Sequence, residues 1–183
     1  MIKYCWGTIA SGKSLKLLSE YLNQKRKSPD KVALVKPSTD TRTTGVFTRF
    51  ANVEIQPDLI LKPEDGLPVM WEALKDKEFI YVDEAQWLAV DQVICMRHMN
   101  VDKVRNFYVY GLRSDYKGNM WPATSTLMQY ADTIEQIEIP CEICSLQKAS
   151  FNIRNAECGT DVGFHYTGAC FECFSKNRLG QQF

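Results

Sequence analysis

The chain has 183 residues, 45% of them hydrophobic and 24% charged, which is typical of one soluble globular domain with a small appendage. Lysine plus arginine equals aspartate plus glutamate, at 22 each, so the formal net charge is zero. That balance argues against a nucleic-acid binder, because affinity for the phosphate backbone comes mainly from clustered Lys and Arg. No apolar run approaches the roughly 18 residues of a membrane span and no secretory signal is visible, so we expect a cytoplasmic protein that binds no membrane.

Strand-like and helical patterns alternate through the first two thirds of the chain. Strands are predicted within residues 2–6, 31–37, 78–86 and 104–112, and helices over 14–27, 68–76 and 88–99. This alternation favours an α/β fold in which helices cover a parallel sheet. We expect loops in the Gly- and Pro-bearing stretches "TRTTGVF" and "YKGNMWPAT". After about Pro140 the pattern changes to short strands around cysteines, which predicts two domains, residues 1–140 and 141–183.

The stretch "GTIASGKS" satisfies the phosphate-loop pattern G-x-x-x-x-G-K-[ST] in full. The backbone N–H groups of such a loop point at phosphate oxygens, its lysine reaches the β- and γ-phosphates, and its serine hydroxyl ligates Mg²⁺. A chance glycine turn is the alternative, but the required strand before the loop and the helix after it are both predicted. We therefore expect ATP to bind the eight residues Gly7, Thr8, Ile9, Ala10, Ser11, Gly12, Lys13 and Ser14.

The apolar strand in "FIYVDE" ends at two carboxylates. A phosphate-loop enzyme holds its Mg²⁺ with an Asp in this position, which predicts that role for Asp83 alongside Ser14. Glu84 would project toward the γ-phosphate, where it could accept a proton from an attacking oxygen. The alternative is that the two acidic residues only begin a helix, where negative charge is favoured.

Seven cysteines divide into different classes by position. Two C-x-x-C pairs separated by 25 residues predict a tetrahedral structural zinc site with no open position, made by Cys141, Cys144, Cys170 and Cys173. Disulfides or an iron–sulfur cluster are the alternatives. Cys5 and Cys95 lie in apolar runs and are expected in the core, whereas Cys158 has no predicted role.

Taken in order, the motifs "GTIASGKS", "TDTR", "VDEAQW", "YGLRSDYKGNMW", "CEIC", "ASFNIR" and "YTGACFEC" make the chain resemble the type II thymidine kinases over nearly its whole length. The resemblance implies a P-loop (RecA-like) sheet with a small C-terminal zinc-ribbon or lasso domain. It also implies transfer of the ATP γ-phosphate to the 5′-hydroxyl of thymidine.

The same resemblance implies roles for individual residues. Glu84 matches the family's general base, Lys13 its phosphate-loop lysine, and Arg42 an arginine near the phosphates, with Asp40 as its acidic neighbour. Residues 112–124 match a lasso loop that closes over the nucleoside. The implied thymidine contacts are Trp87, Leu112, Tyr116, Trp121, Asn152 and Tyr166. For each aromatic residue taken singly, a place in the core without any ligand is the alternative.

One departure affects the expected substrate. Asn152 stands where the family usually has a threonine near the thymine methyl group, so another pyrimidine deoxynucleoside is an open alternative to thymidine. A nucleic-acid-binding ATPase with a zinc ribbon is a second alternative, and a non-catalytic nucleotide sensor is a third. Homotetramers and feedback inhibition by thymidine triphosphate are further properties that the resemblance implies.

Overall fold

The computed structural model describes residues 1–48, 50–155 and 166–180. Cys158 therefore lies outside the described residues. In chain order the elements are β1 (Ile2–Trp6), α1 (Lys13–Lys27), β2 (Val32–Pro37), β3 (Val46–Thr48), β4 (Val53–Ile55), β5 (Leu59–Leu61), α2 (Leu67–Leu74), β6 (Phe79–Val82), α3 (Val90–Met99), β7 (Asn106–Gly111), α4 (Pro122–Tyr130), β8 (Thr133–Gln136), β9 (Phe151–Arg154), β10 (Tyr166–Ala169) and α5 (Phe171–Gly180).

Six parallel strands form the central sheet, in the order β5–β2–β6–β7–β1–β8. All six residues of β2 are buried, as expected for a strand covered on both faces. The predicted α/β architecture with a parallel sheet is confirmed. None of the helices in the described ranges is long and apolar enough to cross a membrane.

Apolar clusters lie on both faces of the sheet. On one face, Leu17, Leu18 and Tyr21 of α1 pack against strand residues such as Cys5 and Tyr110. On the other face, the buried side chains of α2, α3 and α4 pack together with alternate residues of β1, β6 and β7. Period-2 alternation along β1 sends its successive side chains to the two clusters, so both helix layers are fixed on one frame. Cys5 and Cys95 are buried, as predicted.

Two stretches predicted as loops contain regular structure. In "TRTTGVF", Val46–Thr48 forms β3, which pairs antiparallel with β4. Val46 is buried in the cluster under α1, so tertiary packing stabilises a strand too short to show a pattern. In "YKGNMWPAT", Pro122 occupies the first turn of α4, where its fixed φ suits a helix start. The predicted lasso loop 112–124 therefore ends at Trp121, because residues 122–124 are helical.

The C-terminal part forms a separate small cluster. Strands β9 and β10 pair antiparallel, with Asn152 opposite Gly168 and Phe151 opposite Ala169. Phe174 of α5 stacks on Phe151 with ring centroids 4.6 Å apart. A third apolar cluster joins these rings to the cysteines, consistent with the change in pattern seen near Pro140.

The side chain of Phe107, the second residue of β7, is fully buried. We expect Phe107→Ala to lower the free energy of unfolding by about 3–5 kcal/mol, because it removes a large ring and leaves a cavity. The exposed residue Val104 precedes the same strand, so Val104→Ala should change the free energy by no more than about 0.5 kcal/mol. Urea denaturation measures both; equal effects would contradict the described core.

Candidate active site

The phosphate loop lies between the carboxyl end of β1 and the first residue of α1. Gly12 has φ +85° and Ala10 has φ +60°, which curls the backbone at two points. A Cβ on Gly7 would lie 2.3 Å from Ser11 Oγ and 3.0 Å from the Ile137 carbonyl oxygen, so a side chain here would displace Ser11 and crowd the backbone at Ile137. Lys13 Nζ donates to the Thr8 carbonyl oxygen at 2.6 Å, which folds the lysine over the loop. The chain thus curls tightly between β1 and α1, with Lys13 lying over the turn.

Asp83 lies at the carboxyl end of β6, opposite the start of α1. Ser14 Oγ donates to Asp83 Oδ2 at 3.1 Å. Burial, followed by the neighbouring charge of Glu84, raises the pKa of Asp83 above its ordinary value. Considering only residues that the structure describes, Asp83 Oδ1 and the hydroxyls of Thr8 and Ser11 are buried without a hydrogen-bond partner. These oxygens fit a hard cation and a phosphate chain, which would satisfy them.

Glu84 adopts a left-handed backbone conformation, with φ 50° and ψ 40°. A non-glycine residue held in this region costs on the order of 1 kcal/mol or more and marks a position fixed by its surroundings. Two donors hold its carboxylate. Arg42 Nη2 lies 2.7 Å from Oε1, and Gln86 Nε2 donates to Oε2. Gln86 Oε1 in turn accepts from the backbone N–H of Leu112 at 3.0 Å.

Arg42 is held from its other side by Asp40. Arg42 Nε lies 2.6 Å from Asp40 Oδ1, and Lys36 Nζ lies 3.1 Å from Asp40 Oδ2. Burial alone would raise the pKa of Asp40, but the hydrogen bonds and charges of Arg42 and Lys36 outweigh it and lower that pKa. Burial alone would likewise lower the pKa of Arg42, and Glu84 and Asp40 reverse the direction. Asp40 and Arg42 are therefore both charged at neutral pH.

A cavity of about 270 Å³ adjoins the phosphate loop and the Glu84 network. All six side chains predicted to contact a nucleoside line it: Trp87, Leu112, Tyr116, Trp121, Asn152 and Tyr166. Trp87 and Trp121 meet edge to face with ring centroids 5.7 Å apart. The remaining lining residues are Ile9, Arg42, Gln86, Ser114, Asp115 and Lys117. The cavity is a size that suits one small, flat ligand between aromatic walls.

Several of these lining residues are not predicted from the sequence. Gln86 stands two residues after Glu84 in "DEAQ", and its position so close to the carboxylates was the only sequence signal for it. Ser114, Asp115 and Lys117 belong to the stretch that was assigned to the lasso as a whole. The sequence of the lasso does not show which of its side chains point into the cavity and which point to solvent.

The lasso is ordered by its own hydrogen bonds. Asp115 Oδ1 accepts from the backbone N–H groups of Lys117 and Asn119, each at 2.8 Å. Gly118 has φ +84°, and a Cβ there would lie 3.3 Å from the Phe174 ring. This turn therefore needs glycine for both backbone conformation and close approach, and it seats the loop on α5.

Arg113 fastens the base of the lasso to both parts of the chain. Its guanidinium carbon lies 4.6 Å from the ring centroid of Trp6 and 4.6 Å from that of Phe151. Nη2 also donates to the Ser150 carbonyl oxygen at 3.0 Å. Cation–π contacts of this kind contribute about 0.5–2 kcal/mol each, so one side chain joins β1, the lasso and β9.

Asn152 links the cavity to the phosphate loop. Its side chain is 3% exposed, and Oδ1 accepts from the backbone N–H of Ile9 at 2.8 Å. Nδ2 donates to the Ser114 carbonyl oxygen at 3.5 Å. Besides lining the cavity, this residue braces the phosphate loop against β9.

The four cysteines of the two C-x-x-C pairs come together. Their sulfurs all lie within 4.8 Å of one another, and Cys144 Sγ is 3.8 Å from Cys170 Sγ. A tetrahedral zinc with Zn–S bonds of about 2.3 Å places its sulfurs about 3.8 Å apart. Burial would raise the pKa of the Cys141 thiol, but backbone N–H groups of Cys144, Cys170 and Ile143 lower it. All four are free thiols, so the cluster could hold a metal ion rather than disulfides.

The lowered pKa of Asp40 predicts a pH-dependent contribution to stability. The contribution is complete above the unfolded value, near 3.8, and is lost as the pH falls through the lower folded value. Asp40→Asn should reduce the free energy of unfolding by roughly 3 kcal/mol at pH 7, because it leaves the buried Lys36 ammonium without its anion. The difference from wild type should stay constant down to about pH 5 and narrow below about pH 4.

Denaturation curves measured from pH 7 to pH 3 check this expectation. Asp76→Asn, which changes an exposed carboxylate, is the control and should show little difference at any pH. A difference for Asp40→Asn that did not change with pH would contradict the described ion pairs.

The sequence profile of the family described as "Thymidine kinase" matches residues 1–174. The chain is similar to the protein named thymidine kinase in Chromobacterium violaceum, with 26% identity over 92% of this chain and 95% of that protein. It is 29% identical to the thymidine kinase of Enterobacteria phage T4, over 87% of this chain and 82% of the relative. The thymidine kinase of Lactococcus lactis is also 29% identical, over 83% of this chain and 80% of the relative. This chain belongs to the thymidine kinase family.

Proposed function

We propose that the chain transfers the γ-phosphate of ATP to the 5′-hydroxyl of thymidine, giving thymidine monophosphate and ADP. The observation that carries this proposal is the position of the cavity. Ile9 of the phosphate loop forms one part of its wall, and Arg42 and Gln86, which hold the Glu84 carboxylate, form another. A nucleoside in the cavity would thus lie between the phosphate site and a carboxylate.

In the proposed reaction the 5′-oxygen forms a bond to the γ-phosphorus as the bond to the β,γ-bridging oxygen breaks. The hydroxyl proton passes to the Glu84 carboxylate, and ADP leaves with the bridging oxygen. Lys13 and the N–H groups of the loop bind the phosphates, which supplies the positioning on which phosphoryl transfer depends. Mg²⁺ held by Ser14 and Asp83 would neutralise charge on the phosphates.

The proposed base site is formed by aromatic and apolar walls. Trp87, Trp121, Tyr116 and Leu112 would exclude water from a flat pyrimidine ring, with Tyr166 closing the cavity from β10. Asn152 differs from these residues, because its carboxamide is larger than the usual threonine and already accepts from Ile9 and donates to Ser114. Deoxyuridine or a modified pyrimidine deoxynucleoside is therefore the alternative acceptor.

Further properties belong to the same proposal. The sulfur spacing supports one structural Zn²⁺ at the cysteine cluster, within a zinc-ribbon or lasso domain of residues 141–183 that follows a phosphate-loop domain of residues 1–140. A cytoplasmic homotetramer inhibited by thymidine triphosphate is proposed from the family resemblance. That nucleotide would place its base in the cavity and its phosphates in the loop.

Glu84→Gln should reduce kcat for thymidine by about a hundredfold or more, because an amide cannot accept the proton, while ATP still binds. ADP release is measured with ATP and Mg²⁺ plus thymidine, deoxyuridine, deoxycytidine or single-stranded DNA. Glu78→Gln, at the other end of β6, is the matched control and should keep wild-type rates. If ADP release is fastest with deoxyuridine, deoxyuridine and not thymidine is the phosphate acceptor. If only single-stranded DNA stimulates ADP release, the proposal of a nucleoside kinase is wrong.

Cys141→Ser should abolish zinc binding and lower the melting temperature by roughly 10 °C, because a structural metal contributes several kcal/mol to folding. Zinc content per chain and thermal unfolding measure the two effects. Cys95→Ala, a change in the core outside the cluster, should retain one zinc per chain. Iron instead of zinc in the purified protein would support the cluster alternative.

A further inference from the structure

A lysine at the end of β2 is buried beside the candidate active site. The side chain of Lys36 is 3% exposed, although Lys is among the residues least often buried without compensation. Burying an ammonium group is costly unless charge and hydrogen bonds replace its water. The groups that contact the Lys36 ammonium therefore indicate the role of this buried charge.

Lys36 Nζ contacts four oxygens of the segment that follows it. It lies 3.1 Å from Asp40 Oδ2, donates to Thr43 Oγ1 and the Gly45 carbonyl oxygen at 3.2 Å each, and also donates to the Thr43 carbonyl oxygen. These contacts draw residues 40–45 around one ammonium group. We call this segment the hook.

The hook carries Arg42 toward Glu84. Asp40 divides its two oxygens, with Oδ2 on Lys36 and Oδ1 on Arg42 Nε at 2.6 Å. Oδ1 also accepts the backbone N–H of Arg42 at 3.4 Å. Arg42 Nη2 is then left to reach Glu84 Oε1 at 2.7 Å. The order of contacts is Lys36, Asp40, Arg42, Glu84.

Arg42 needs this support because its side chain is 33% exposed and long. A flexible guanidinium at the surface loses rotamer entropy when it is held in one geometry. A single ion pair exposed to solvent is too weak to offset that loss. Asp40 is almost fully buried, so its position is fixed only if its charge is compensated on both oxygens. Arg42 compensates the charge on Asp40 Oδ1, and Lys36 compensates the charge on Oδ2.

We propose that Lys36 is a positioning residue for phosphoryl transfer: acting through Asp40 and Arg42, it fixes the orientation of the Glu84 carboxylate beside the cavity that Arg42 lines. The inference rests on the proposed function, since it assigns Lys36 to the same reaction. Lys36 does not line the cavity, so its loss should change turnover more than nucleoside binding.

The first experiment compares Lys36→Met with wild type by steady-state kinetics. We expect kcat to fall on the order of tenfold to a hundredfold, because a displaced base misses the near-attack geometry, while KM for thymidine stays within about twofold. We expect Lys36→Gln to lower kcat in the same way while leaving KM for thymidine nearly unchanged. It replaces Lys36→Met if the methionine variant does not fold. Equal kcat in wild type and a folded variant would overturn the proposal.

Arg105→Met is the matched control for burial of a cation. Arg105 is 5% exposed, pairs with Asp102 and lies over the Trp71 ring at 4.5 Å, beside the amino end of β7. Like Lys36→Met, the Arg105→Met variant replaces a buried cation with methionine. Arg105 lies at the amino ends of the strands, however, and Glu84 lies at their carboxyl ends. We expect Arg105→Met to lower the melting temperature and leave kcat unchanged. A similar loss of kcat in both variants would mean that general destabilisation, and not Lys36, is responsible.

A double-mutant cycle tests the route through Arg42. In an Arg42→Gln background, Lys36→Met should cause little further loss of kcat, because its effect passes through the absent guanidinium. Full additivity of the two losses would overturn the assigned route.

A structural readout separates this inference from the proposed function. If the wild-type protein transfers no phosphate to any nucleoside, the proposed function fails. The distance from Arg42 Nη2 to Glu84 Oε1 in a crystal structure of Lys36→Met still tests the positioning. Loss of that contact supports it, and an unchanged contact near 2.7 Å overturns it.

Discussion

The parallel arrangement of β1, β6 and β7 is the constraint on which the site depends. Their carboxyl ends meet at one edge of the sheet, so the phosphate loop, the two carboxylates and the lasso leave three strands at the same place. The two adjacent carboxylates have different partners. Asp83 accepts from Ser14, and Glu84, in a left-handed backbone conformation, contacts Arg42 and Gln86, which both line the cavity.

Much of this arrangement could be predicted from the sequence. The strand and helix patterns predict the parallel sheet, and the glycines and lysine of residues 7–14 indicate a phosphate-binding loop. The spacing of the cysteine pairs predicted a cluster whose sulfurs do converge. These features share a cause, because each depends on local conformation or on short, regular spacing.

The rest depends on contacts between residues distant in the chain. Strand β3 has only three residues and is stabilised by packing under α1. A buried amide at Gln86 and a buried ammonium at Lys36 have no periodic signal, and their roles appear only when Leu112 and the hook are brought beside them. The two functions of Asn152 likewise require β9 to lie against the phosphate loop.

That contact between Asn152 and Ile9 has a consequence for how the molecule is assembled. The N–H of Ile9 in the phosphate loop is satisfied by the side chain of Asn152, 143 positions away in the chain, on a strand that packs against the cysteine cluster. Order in the nucleotide loop is thereby linked thermodynamically to folding of the C-terminal part. A chain whose cysteine cluster is not assembled lacks one restraint on the loop, even though every residue of the loop itself is intact. During synthesis the phosphate loop is therefore among the first segments made, but its hydrogen bonds are complete only after Asn152 has been added and β9 has folded.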